Sequence, residues 1–136
     1  MENLITIVGA LGIGGVLSSY ATMIWTKKQK LDEARQNFKE ERYKCIILLM
    51  TAYISFDEKA KRYLQKYGYN IETEEDLGDL LTDEYVNSFL FASDEFVLAM
   101  KDFMLDHTKE KLMITVLSMR KDLYGIKSKL TTDQLF

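Results

Sequence analysis

Hydrophobic and polar positions divide the chain into an uncharged start, a charged middle and a periodic remainder. From Leu4 to Trp25, "LITIVGALGIGGVLSSYATMIW", no residue carries a charge, and "TKKQK" follows at once. A hydrocarbon core of roughly 30 Å needs about 20 apolar residues in a helix. The pattern therefore predicts an N-terminal transmembrane helix, residues 1–26. A cleaved signal peptide calls for a basic start and a shorter apolar core. Here the start is "MEN", and a cut after "SYA" at 19–21 would leave "TMIWTKK" as the new terminus. A buried helix of a soluble domain seldom runs this long without charge. Tyr20 and Trp25 lie toward the lysine end, where aromatic rings favour the headgroup layer. Lys27, Lys28 and Lys30 flank that end and only Glu2 the other. The positive-inside rule then predicts a single-pass protein of the cell (inner) membrane, N-terminus outside and residues 27–136 cytoplasmic.

The charged middle, residues 27–43, has no helix breaker and predicts a helical stalk continuing the anchor. Leu31, Phe38 and Cys45 are spaced by seven, with Ala34, Glu41 and Leu48 as the second set, a short coiled-coil-like repeat. Six apolar residues, Cys45 to Met50, mark entry into a core, so residues 44–136 are expected to form a cytoplasmic helical bundle. Cys45 lies about 28 Å of helix beyond Thr26, which argues for a buried thiol over an acylated one.

Helix signals punctuate the remainder. Asp57 can cap a short helix that ends at Gly68, with Lys59, Lys61, Arg62 and Lys66 toward its C-terminal part. "TEED" at 73–76 predicts a helix start. The stripe Leu77, Leu80, Leu81, Tyr85, Phe89, Ala92, Phe96, Met100 and Phe103 predicts one long helix from there to about Leu105. Thr108 can cap the next helix and Gly125 can end it; Thr131 or Thr132 can begin a short final turn. No strand pattern occurs. The expected fold is all-α: a transmembrane helix continuing into a stalk, then a small antiparallel bundle of three main helices and one short one.

Composition sharpens this picture. The 136 residues include seven Gly and no Pro, and Gly9, Gly12, Gly14 and Gly15 all lie in the uncharged stretch. The rest is nearly free of breakers, as an all-helical protein requires. The formal charge is −3 with both signs interspersed and no evident basic face, so nucleic acid is not an expected partner. The single cysteine cannot form an internal disulfide and fits a reducing compartment.

Candidate chemistry is sparse. His107 is the only histidine, set in a predicted turn, and has no second ligand at metal spacing. No nucleophile elbow or triad spacing occurs. "GALGIGG" follows no strand and precedes no P-loop lysine. The acids Glu74, Glu75, Asp76, Asp79, Asp83 and Glu84 read as a solvated, dipole-matched helix start, without the Glu-x-x-His pairs of di-iron bundles. No catalytic, cofactor-binding or metal-ligating residue is therefore expected. Two other patterns stand out. Ala10, Gly14, Ser18 and Thr22 recur every fourth residue and would form a transmembrane packing face, predicting a homo-oligomer. "FASDEF" (91–96) and "MRKDL" (119–123) set charges into apolar helices. Asp94 or Glu95 could pair with Arg120 between antiparallel helices, or these residues and Asp122 could present a partner surface.

The stretches "FASDEFVLAMKDF" and "MRKDLYGIKSKLTTDQL" resemble a group of small uncharacterised prokaryotic membrane proteins. Those proteins have an N-terminal membrane segment, a charged stalk and a helical region with similar "ASDE" and "MRKDL" stretches. The matching positions are Ser93, Asp94, Glu95 and Met119, Arg120, Lys121, Asp122, Leu123. The resemblance implies a prokaryotic or phage origin and a helical cytoplasmic domain; it brings no activity. The expected function is a non-enzymatic, membrane-anchored interaction or scaffold module that contacts the bilayer, self-associates and docks a cytoplasmic protein. The alternative is a membrane-active phage or toxin-like protein acting through its glycine-rich helix.

Overall fold

The structure, a computed structural model, describes the backbone of residues 2–134 and the side chains of residues 14–131, 133 and 134. It is all-α: α1 (Glu2–Ile54), α2 (Glu58–Lys66), α3 (Glu74–Ser88), α4 (Asp94–Leu105), α5 (Lys109–Tyr124) and a 3-10 turn at Thr132–Gln134, with no strand among the described residues. Contacts divide it into two compact units, Met1–Asn37 and Phe38–Phe136.

The first unit holds only the N-terminal part of α1, up to Asn37. Its described apolar side chains are bare: Val16, Leu17, Tyr20, Met23, Ile24 and Trp25 are 50–70% exposed. Among the described residues, no helix is long and apolar enough to cross a membrane. The expected transmembrane helix falls partly on residues 1–13, whose side chains lie outside the described residues, Ala10 included.

The second unit owes its helices to local chemistry. Asp57 caps α2 by accepting from the Ala60 N–H, and Gly68 leaves it at φ +87°. Thr73 and Asp76 form a reciprocal capping box at the start of α3. Thr108 caps α5, and Gly125 ends it in the left-handed conformation at φ +67°. The core joins Tyr43, Ile46, Leu49 and Met50 of α1 to Leu64, Leu77, Leu81, Phe96, Met100, Phe103 and Met119. Fully burying each large apolar side chain contributes about 1.5–3 kcal/mol against exposure.

Three expectations are corrected here. The single long helix from 73 to 105 is two helices, broken at residues 89–93. Ser93 adopts extended backbone, accepts from the Phe96 N–H and starts α4 anew, with Asp94 and Glu95 in its first turn. "ASDE" is thus a helix start, its acids matched to the helix dipole, rather than an interruption. Cys45 is half-buried, not buried. Tyr43, expected at the end of an exposed stalk, is 1% exposed, its ring against Phe91 and Phe96 at centroid distances of 5.8 and 4.8 Å.

Candidate functional site

The "ASDE" and "MRKDL" stretches do meet, through partners other than those expected. Arg120 is exposed and forms no ion pair with Asp94 or Glu95 among the described residues. Its neighbours on α5 make the contacts. Lys121 pairs with Glu95, and Asp122 accepts from the Ser93 backbone N–H at 3.0 Å. The correction has a geometric cause. Successive residues of a helix differ by about 100° in direction, so the residue beside Arg120 faces α4 while Arg120 faces solvent.

Asp122 is the centre of the arrangement, its side chain 12% exposed. Besides Ser93 it receives the Tyr43 hydroxyl and, at 2.8 Å, the Lys39 ammonium. One carboxylate thereby ties α1, α5 and the N-cap of α4. Burial alone would raise its pKa. The Lys39 ammonium, the Tyr43 hydroxyl and the Ser93 N–H outweigh that and hold it below the ordinary carboxylate value. Burial, with the carboxylate beside it, pushes the Tyr43 hydroxyl far above its ordinary range, so Tyr43 stays a donor.

A second tie lies alongside. The Arg42 Nη2 reaches both Glu84 oxygens, Oε1 at 2.6 Å, joining α1 to α3. Glu84 is buried, apart from the solvated acids with which it was grouped on sequence. Glu40 accepts from the Tyr124 hydroxyl at 2.9 Å and from Lys44, and both draw its pKa down. Lys39, Glu40, Arg42 and Tyr43, four of five successive residues of α1, thus clasp α3, α4 and α5. No buried side-chain nitrogen or oxygen lacks a partner among the described residues.

Sequence reading missed Lys39, Arg42, Tyr43 and Glu84. The signal for Glu84 was present: Leu77, Leu81, Glu84 and Ser88 share one face of α3, and all four are buried. A carboxylate on an apolar stripe asks for a buried cation.

The remaining candidates are separate from the clasp. Asp94 is exposed in the first turn of α4. Gly14, Ser18 and Thr22 are exposed on α1, and the Thr22 hydroxyl bonds the Ser18 carbonyl at 2.9 Å. The His107 ring lies tilted against Tyr53 with centroids 4.6 Å apart, and no set of three His, Cys, Asp or Glu able to hold a metal occurs among the described residues. A groove of ≈ 420 Å³ between α1 and α2 is lined by Cys45, Leu48, Tyr63, Tyr67 and Tyr69 among others. Burial, and a hydrogen bond to Cys45, push the Tyr69 hydroxyl up to about 12.

Chemically, the clasp joins helices; its charges are spent on one another, not aimed at open space. Compared with known proteins, the chain matches no family model, no curated protein and no solved structure.

Proposed function

We propose that the chain is a membrane-anchored, non-enzymatic helical module: residues 1–26 hold it in the bilayer and the bundle presents a surface to a cytoplasmic protein. The observation that carries this reading is the uncharged stretch Leu4–Trp25 closed by Lys27, Lys28 and Lys30. Its described apolar side chains, bare on α1, need a cover, and lipid supplies one. By the positive-inside tendency, the lysines favour a bundle on the cytoplasmic side. The small residues Ala10, Gly14, Ser18 and Thr22 favour close pairing of two such helices, making the module a homo-oligomer. A bundle whose inner polar groups satisfy one another suits a rigid scaffold better than a reaction centre.

Protease added outside intact cells tests the orientation. The reading expects the bundle to survive until the membrane is opened. Digestion in intact cells contradicts it. Expression with and without residues 1–26 separates scaffold from membrane-active protein: growth arrest that needs only residues 1–26 supports the latter.

A further inference from the structure

Two charged stripes of opposite sign remain unused in the bundle. On α2, Lys59, Arg62 and Lys66 follow one another at i, i+3 and i+7, so they share a face, and all three are exposed. None forms an ion pair with an acid among the described residues: the one α2 cation that does is Lys61, with Glu58. Arg62 gives its Nε to the Glu58 carbonyl and keeps its outer nitrogens for another partner. Tyr63 and Tyr67 flank this row, 47% and 54% exposed, their rings edge to face at 5.1 Å. The row differs from the even charge mixture read from the whole sequence.

On α3, Glu75, Asp79 and Asp83 recur at i, i+4 and i+8 and are likewise exposed. The stripes run about 10 and 12 Å along their helices, so their lengths match. Val86, 59% exposed, extends the acidic face with an apolar residue, as Tyr63 and Tyr67 border the basic one.

We propose that two copies of this chain dock through these faces, α2 of each copy against α3 of the other. Each copy carries one basic and one acidic stripe, so a two-fold arrangement satisfies both at once, as an isologous interface requires. Charge complementarity selects the occupant: the stripe that fits Lys59, Arg62 and Lys66 in sign and length is in the chain itself. Isolated surface ion pairs are weak; here six charges from each copy act together, and the tyrosine rings and Val86 add apolar area at the rim. This interface does not depend on the pairing proposed for residues 10–22.

The test uses the full chain in uncharged detergent with Cys45→Ser. One tagged population carries Arg62→Cys and another Asp79→Cys, and a short bis-maleimide links copies only when the faces meet. The expected result is a heterodimeric crosslink that falls at least about tenfold near 1 M salt, where the screening length is about 3 Å. Lys59→Glu with Lys66→Glu should abolish it, and Glu75→Lys with Asp83→Lys on the opposite copy should restore it. These positions are exposed, so unchanged melting confirms the fold of each variant. No crosslink, or one indifferent to salt and to charge reversal, overturns the proposal. Gly14→Cys crosslinking in a parallel sample reports anchor pairing separately, so either contact can fail without the other.

Discussion

Replacing Asp122 by alanine should loosen the bundle at the point where three elements meet. The change strands three donors at once: the Lys39 ammonium, the Tyr43 hydroxyl and the Ser93 N–H. Tyr43 is 1% exposed, so water cannot readily replace its acceptor. Hydrogen bonds to a charged group contribute about 1.5–3 kcal/mol each, and an unsatisfied buried donor costs about 1–3 kcal/mol. Lys39 retains 20% side-chain exposure and recovers part of its hydration, so its share is smaller. The three are not independent, and a net loss of about 2–4 kcal/mol is expected. For a bundle of this size that lowers the melting temperature by roughly 10–25 °C. The assay is thermal and urea unfolding of the full chain in mild detergent, followed by circular dichroism. Arg120→Ala is the control: the side chain is exposed, so its effect should stay within about 0.5 kcal/mol. In a double-mutant cycle, Asp122→Ala and Tyr43→Phe should couple by about 1–2 kcal/mol. Parent-like melting of Asp122→Ala, or a larger loss from Arg120→Ala, refutes the reasoning.

Other outcomes follow from the same contacts. Asp122 is held below its ordinary value of 3.8, so the unfolded chain binds that proton more readily than the folded one; its contribution is present above that value and is lost as pH falls through the lowered one. Acid titration of Asp122→Asn should show a flatter stability profile there than the parent. Tyr43 carries the opposite sign: its folded value lies above the ordinary 10.0, so stability is present below pH 10 and is lost as pH rises beyond it. Alkaline melting of Tyr43→Phe should therefore fall less steeply. Arg42→Ala should cost about 2–4 kcal/mol by leaving Glu84 buried and unpaired, whereas Arg42→Met with Glu84→Leu should come close to the parent in urea unfolding. Ser93→Ala should remove about 1 kcal/mol by uncapping α4, detectable as faster amide exchange in its first turn.

The caps and stops were legible in the chain because they rest on local chemistry. Asp57, Thr73, Thr108 and Gly125 act at the positions their residue types suggest. The break between α3 and α4 was equally local, yet the apolar period Tyr85, Phe89, Ala92, Phe96 runs across it and hid the cap at Ser93. Phe91 still packs, meeting Phe38 and Tyr43 in the turn itself, while Phe89 and Leu90 are left 61% and 87% exposed. The meeting of "ASDE" with "MRKDL" could be inferred from two antiparallel helices. Which residue of Arg120, Lys121 and Asp122 faced inward could not, because that depends on a rotation of about 100° per residue set by the whole core. Lys39 and Arg42 were hidden for a similar reason. Neither has an acid three or four residues away along α1, so each needs a carboxylate from another helix, and only the fold shows that these are Asp122 and Glu84.

The proposed function depends on residues 1–26 fixing the chain in the bilayer. Membranes from cells expressing the full chain are washed with alkaline carbonate beside those from cells expressing the chain from Lys27 onward. The full chain should stay in the pellet while the shortened chain is released. Release of the full chain, or recovery of a soluble protein beginning near Thr22, would contradict it.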